Sequence, residues 1–220
     1  MNALLKKMTA ILLAIIMCTG MILPTQVIAA EQNKPDMIFS LQNESDLIEF
    51  SLSLKSMSEE ELQQVIELAQ IESENRSVVN IVTLKSAWLA AAQIARVKGY
   101  PLAATLVENS VFYKNYSETN GKFSKAIKGT RAYKRMLNKK RGSDAFSKND
   151  HSDLFYAINK FSFTSSSSSK GKRFRISDKF DFALDMSYDN LFVSLVNNWA
   201  YLNQNIWVLH PIQVSITLDS

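Results

Sequence analysis

The chain has 220 residues, a formal net charge of +4 and a single cysteine, Cys18. One cysteine excludes a disulfide framework and a zinc site made of several thiolates. About 190 residues follow the leader described next, and a chain of that length buries enough surface to fold without cross-links.

The first 30 residues have the pattern of a secretory signal peptide. Lys6 and Lys7 precede a charge-free run over 8–23, and small residues follow at Ala29 and Ala30. The run is shorter than the roughly 20 residues that a membrane-spanning helix needs. We therefore expect a secreted or cell-wall-associated protein that is cleaved near Ala29 or Ala30.

Cys18 lies inside this leader, where a lipid anchor is the alternative to cleavage further on. Met17, however, occupies the position at which such a signal requires a small residue. Cleavage after the leader leaves no cysteine, and so no thiolate nucleophile. In having a signal peptide and no cysteine after it, the chain resembles the secreted proteins of Gram-positive bacteria.

Charge is distributed unevenly along the remaining chain. Residues 31–80 carry 11 acidic and 3 basic side chains, whereas residues 114–148 carry 11 basic and 2 acidic ones. We divide the chain into a signal peptide (1–30), an acidic lead-in with one helix (31–80) and an α+β domain (81–220). A removable pro-region is an alternative reading of the acidic lead-in.

The first half of the chain predicts helices. Residues 31–57 follow no regular period and are interpreted as extended. Ser58 and Glu61 form a capping-box pattern ahead of a helix over 59–71. A second helix is predicted over 83–98, and Pro101 then opens a third over 102–113. The last two helices form an αα-hairpin.

The second half predicts mainly strands after a broken helix over 123–137. Residues 154–164 and the stretch around Phe174 and Ile176 alternate in polarity, as strands do. The serine tract at 165–169 between them is interpreted as a flexible hairpin loop. Asp189 caps a predicted helix over 191–202, and residues 212–218 form a final strand. The fold class is therefore α+β, with N-terminal helices, then a β-hairpin, a helix and a C-terminal strand in a small, mainly antiparallel sheet.

Recognisable catalytic and metal-binding motifs are absent from the sequence. The two histidines, His151 and His210, show no HExxH spacing, and no Gly-x-Ser-x-Gly occurs. Asp150 and Asp153 beside His151, and the Asp178–Asp181 pair, supply the oxygen ligands that calcium prefers, without EF-hand spacing. Turn and cap roles are the usual explanation for such aspartates, and a weak calcium site is the alternative. We expect no cofactor, no metal and no catalytic residue.

The basic stretch is the candidate binding site. Cationic side chains interleaved with aromatic ones suit a polyanion, and a solvated helical face neutralised by the acidic lead-in is the alternative. The candidate residues are Lys122, Lys125, Lys128, Arg131, Lys134, Arg135, Lys139, Lys140 and Arg141. The expected partner is an anionic cell-wall polymer or anionic lipid, because nucleic acid is not normally present where the chain is expected to reside.

Two stretches carry a resemblance. WLAAAxIARxKGYPLA at 88–103, and a tail that includes DxFDFA from Asp178 and LVNNW from Leu195, are similar to small, uncharacterised secreted proteins of Gram-positive bacteria. With NDxxDLFYA from Asn149, the likeness spans about residues 84–218. It implies export and one compact domain, and it implies no activity.

These observations favour a non-enzymatic, envelope-associated protein that binds an anionic partner through residues 114–148. Two alternatives stay open: a secreted hydrolase with an unrecognised active site, and a cationic toxin that inserts into membranes. The hydrolase requires a pocket with titratable groups, and the toxin requires an exposed amphipathic helix.

Overall fold

The structure, a computed structural model, describes residues 41–75, 80–169, 171–181 and 208–220. These residues form an α+β fold, as predicted, in which four helices precede the first strand and the sheet is mostly antiparallel. The helices are α1 (Glu44–Ser53), α2 (Glu59–Asn75), α3 (Ile81–Val97), α4 (Pro101–Val111), α5 (Lys122–Lys128), α6 (Arg131–Met136) and α7 (Ser152–Ala157). The strands are β1 (Tyr116–Thr119), β2 (Arg141–Ala145), β3 (Lys160–Ser168), β4 (Gly171–Phe180) and β5 (Ile212–Asp219).

Helix α1 corrects the prediction that residues 31–57 are extended. Asn43 caps it by accepting hydrogen bonds from the backbone N–H groups of Ser45 (2.8 Å) and Asp46 (3.1 Å). The Asp46 carboxylate accepts the Asn43 N–H in return, which completes a capping box. The sequence signal was weak because serines, which favour caps over helix interiors, interrupt the apolar spacing.

The helices that follow agree with the predicted pattern. The Ser58 and Glu61 side chains exchange hydrogen bonds with each other's backbone N–H at the start of α2, at 2.7 and 3.2 Å. Helix α3 ends before Gly99, whose φ of +90° is readily adopted only by glycine, and Pro101 opens α4 at its first position. The αα-hairpin of α3 and α4 is therefore confirmed.

The first hydrophobic cluster joins the acidic segment to this hairpin. Trp88 of α3, 1% exposed, packs in a cluster with Leu47 and Phe50 of α1 and with Leu62 and Val65 of α2. Residues of the predicted lead-in thus form part of the core. This packing argues against the pro-region alternative, because removing α1 and α2 would expose a large apolar surface.

The sheet has the strand order β1-β5-β4-β3-β2. Strand β1 runs parallel to β5, and the other neighbours are antiparallel. The β3–β4 hairpin and the return of β5 onto β4 follow the predicted order. The edge strands β1 and β2 were missed, since each is only 4 or 5 residues long and β2 (RGSDA) has no β-branched or aromatic residue.

Two predictions within the second half were wrong. Residues 152–157 form helix α7, which buries Leu154 and Ala157 on one side, so the strand begins only at Lys160. The serine tract is not a loop, because Ser165 to Ser168 pair with β4 as part of β3. Strand pairing uses backbone groups, so it continues through residues whose side chains contribute no hydrophobic signal.

The predicted helix over 191–202 lies outside the described residues. The predicted broken helix over 123–137 is observed as the separate helices α5 and α6, joined through Gly129 and Thr130.

A second hydrophobic cluster covers one face of the sheet. Phe161, Phe163, Phe174 and Ile176 are at most 3% exposed and pack against residues of α4, α5, α6 and α7. The intervening strand residues point to the opposite face, which is open to solvent at most positions. The sheet is thus buried on one side and polar on the other.

We predict that Phe50→Ala lowers the free energy of unfolding by about 3–5 kcal/mol, because it leaves a cavity in the first cluster. Leu52→Ala on the same helix is the control, since Leu52 is 59% exposed and its truncation should change stability by at most about 0.5 kcal/mol. Urea titration measures both. Equal, small effects would show that α1 is dispensable and would restore the pro-region reading.

Candidate anion-binding surface

The nine candidate cations lie on consecutive elements and are all exposed. They occupy α5, α6, the link from 137 to 140 and the first residue of β2. We call this set the basic surface: Lys122, Lys125, Lys128, Arg131, Lys134, Arg135, Lys139, Lys140 and Arg141. Its backbone is tied to the sheet at Ser165, which donates to the carbonyls of Lys139 (2.9 Å) and Lys140 (2.7 Å).

Glu118, one of the two carboxylates within 114–148, is used to start α5. It accepts hydrogen bonds from the N–H groups of Phe123 (3.3 Å) and Ser124 (2.7 Å), and from the Tyr116 hydroxyl (2.8 Å). Burial first, and then this bond to Glu118, raises the pKa of Tyr116 above its ordinary value. Phe123 and Ile127 are fully buried, so the lysines of α5 are left on its outer side.

Asp144, the other carboxylate, forms a forked pair with Arg135. Its oxygens accept from Arg135 Nε at 2.9 Å and Nη2 at 2.7 Å. The hydrogen bonds to Arg135 hold the pKa of Asp144 below its usual value, against an opposing contribution from burial. Among the described residues, Arg135 is the one member of the basic surface in an ion pair.

Helix α6 is positioned by two further caps. Thr130 Oγ1 accepts the Tyr133 N–H (3.1 Å), and the Asp150 carboxylate accepts the Arg131 N–H (2.8 Å). Ala132 and Met136 are fully buried, which leaves the basic side chains of α6 outside. The apolar sides of α5 and α6 are therefore already occupied within the protein, unlike those of a membrane-inserting helix.

Lys122 differs from the other members. Its ammonium group donates to Thr105 Oγ1, and its partial burial, followed by the nearby Arg96, lowers its pKa. Glu108, Glu118 and Asp153 raise that pKa and so oppose the shift. Lys122 therefore belongs more to the packing between α4 and α5 than to a free binding surface.

Lys125 and Lys128 border an open depression of about 330 Å³ at the end of β5. Asp219 also lines it, but its carboxylate is forked with Arg173 (2.7 and 3.2 Å) and accepts from the Asn120 amide (3.0 Å). The depression thus combines two lysines with a carboxylate whose charge is already paired.

The alternative that the acidic segment neutralises the basic surface finds no support in the described residues. Lys98 of α3 pairs with Glu59 of α2 at 2.6 Å, and Lys98 is not a member of the basic surface. The basic surface lies instead beside the sheet, whereas α1 and α2 pack in the other cluster.

The aspartates considered for calcium or catalysis have structural roles at two positions. Asp153, 4% exposed, accepts from the backbone N–H groups of Leu102 and Ala103, both at 2.9 Å, and so caps α4. Asp150 caps α6, as described above. His151 Nδ1 accepts the Leu154 N–H at 3.3 Å and caps α7.

Asp178 and His210 also carry pKa values shifted by burial. Burial, reinforced by Asp181, raises the pKa of Asp178 to about 6, although the Lys179 backbone opposes the shift. Burial and the charge of Lys85 lower the pKa of His210, whose ring lies 4.5 Å from that of Tyr113. Asp178 lies on β4, whereas His210 precedes β5.

A search of the described residues for metal-binding clusters finds no group of three or more His, Cys, Asp or Glu side chains suited to an ion. None of the helices in those ranges is both long and apolar enough to cross a membrane.

Comparisons with known proteins returned no match to a family model, to a curated protein or to a solved structure. The resemblance to small secreted Gram-positive proteins therefore stays a prediction.

Asp153→Ala should lower the free energy of unfolding by about 1–3 kcal/mol, because two N–H groups at the buried start of α4 lose their acceptor. Asp181→Ala, at an exposed position, is the control. Millimolar calcium should leave the melting temperature of the unmodified protein unchanged. A calcium-dependent rise that Asp153→Ala abolishes would instead place an ion at this carboxylate.

The raised pKa of Asp178 predicts a pH dependence of stability. Since the folded state holds this proton up to about pH 6 and an ordinary aspartate loses it near 3.8, stability should fall as pH rises through that window. Asp178→Asn should therefore be more stable than the unmodified protein at pH 7.5 and nearly equal at pH 3.5. If the urea midpoints of Asp178→Asn and of the unmodified protein differ by the same amount at every pH, the predicted burial of the Asp178 charge is contradicted.

Proposed function

We propose that this chain is an exported, non-enzymatic protein of the cell envelope that binds an anionic partner through the basic surface. The observation that carries the proposal is that these nine cations are exposed while both nearby carboxylates are used internally. Arg135 is paired with Asp144, and the other exposed cations on these rigid elements create a local positive potential that attracts polyanions.

The partner class follows from the geometry of the surface. The cations are spread over two short helices, a link and a strand end, so they suit an extended, repeating anion better than a single small one. An anionic wall polymer fits this description, and a bilayer of anionic lipid is the second source of the same charge. The aromatic side chains of the region, such as Phe123, pack inward and leave little apolar surface for insertion into a membrane.

The hydrolase alternative has one supporting observation, the raised pKa of Asp178. Its expected partners are otherwise engaged, because Asp150, Asp153 and His151 each cap a helix. The structure thus supports binding better than hydrolysis.

The test is binding to purified cell walls and to anionic vesicles across a salt series. Attraction by exposed charge weakens as salt screens it, so affinity should fall steadily with ionic strength. Replacing Lys125, Lys128 and Lys134 by Gln should weaken binding at low salt about 100-fold, if each contributes about 1 kcal/mol as basic residues do near anionic membranes.

A matched triple variant, with Lys55, Lys85 and Lys98 replaced by Gln, removes the same charge outside the basic surface. It should weaken binding far less than the first variant. Equal losses from the two triples would mean that net charge, and not the basic surface, determines binding. Binding that is indifferent to salt would refute the proposal.

A further inference from the structure

The face of the sheet opposite to the described helices carries a regular set of side chains. Its central row crosses all five strands through paired positions: Arg141, Thr164, Arg175, Thr217 and Thr119. The next row along is composed of serines only: Ser143, Ser162, Ser177, Ser215 and Ser117. We call these two rows and the flanking Arg173, Lys160 and Lys179 the open face.

The open face is strongly positive. It has five basic side chains, and Asp219 is the one carboxylate that the described strands place on it. That carboxylate is forked with Arg173. Arg141, Arg175 and Lys160 take part in no ion pair within the described residues, and Lys179 lies 3.6 Å from Asp181 beyond the strand end.

The open face continues the basic surface around the sheet edge. Arg141 belongs to both, because it is the last of the nine candidate cations and the first residue of edge strand β2. Lys139 and Lys140 precede it and are tied to β3 through Ser165. A long anion that contacts α6 can therefore pass over β2 and onto the open face without leaving positive potential.

We infer that the open face holds one segment of a wall polymer whose backbone is built of polyols joined by phosphodiesters, and this inference rests on the proposed function. Arginine suits phosphate because its planar fork donates two parallel hydrogen bonds, and serine and threonine hydroxyls donate to phosphate or accept from polyol hydroxyls. Sheet geometry spaces these groups at about 4.8 Å between strands and about 6.8 Å between alternate residues of one strand. A regular array of this kind fits an extended chain with a short repeat.

Other polyanions fit the open face less well. Single-stranded nucleic acid is bound by stacking its bases on aromatic rings, and none of the side chains that the described strands present on this face is aromatic. A bilayer surface requires apolar or aromatic anchors, and Ala145 is the largest hydrocarbon side chain on the same face. The open face presents hydroxyl and cationic side chains, and these match a polymer of phosphates and alcohols.

The experiment compares three double variants with equal loss of charge. Arg141→Gln with Arg175→Gln alters the open face, Lys125→Gln with Lys134→Gln alters the helical part of the basic surface, and Lys55→Gln with Lys98→Gln is the control. A single variant, Thr164→Val, removes one hydroxyl of the central row with little change in shape. Each purified protein is titrated with poly(glycerol phosphate), polyglutamate, oligothymidylate and anionic vesicles, and circular dichroism verifies that it is folded.

For poly(glycerol phosphate), the open-face pair should weaken binding about tenfold more than the control pair, and Thr164→Val should weaken it several-fold without changing the salt dependence. Polyglutamate, which lacks phosphate, should be insensitive to Thr164→Val. These results together would support the inference.

The outcomes that oppose it are distinct from those that oppose the proposed function. If the helical pair weakens binding, while the open-face pair equals the control and Thr164→Val has no effect, the proposed function stands and the open face is not the site. If neither pair differs from the control, both proposals fail. Tighter binding of oligothymidylate or vesicles than of poly(glycerol phosphate) would overturn the assignment of the polymer.

Discussion

The one-sided burial of the sheet is the constraint on which the other features depend. Phe161, Phe163, Phe174 and Ile176 project to one face and are covered by α4 to α7, which provides the larger hydrophobic cluster. Because strand side chains alternate, the same pairing register places Arg175, Ser177 and their neighbours on the opposite face. A shift of one residue would exchange the two sets, so the register that builds the core also fixes the chemistry of the open face.

Several carboxylates in the second half of the chain cap the N-termini of helices. Asp153 reaches from α7 to cap α4, Glu118 caps α5, and Asp150 caps α6. Each accepts hydrogen bonds from backbone N–H groups and so satisfies helix ends that the chain would otherwise leave unpaired. The consequence for function is indirect: acids that could have neutralised the lysines and arginines are directed inward to the backbone, and the cations stay outside.

Helix α4 connects the two parts of the core. Leu102 and Leu106 belong to the cluster under the sheet, whereas Val111 belongs to the cluster with Trp88. The described part of the acidic lead-in packs in the first hydrophobic cluster, the one with Trp88, away from the basic surface. Within the described residues, the acidic segment and the basic surface therefore do not neutralise each other. Each of the two regions faces solvent.

The amino-acid sequence determined the features that arise from local periodicity and caps. The Ser58–Glu61 capping box, the α3–α4 hairpin around Gly99 and Pro101, and the alternating strand at 212–218 could all be predicted, because each depends on residues within one or two turns of one another. The exposure of the nine candidate cations also follows from sequence, since lysine and arginine rarely lie buried without a partner.

Only the tertiary structure decided the features that depend on distant partners. The serine tract joins β3 because β4 supplies its backbone hydrogen bonds, and β1 exists because β5, about 100 residues later, pairs with it. The open face has the same origin: Arg141, Arg175 and Thr217 form one row only after three strands have paired. No local pattern records such pairings, because they are selected by the burial of the other face of the sheet.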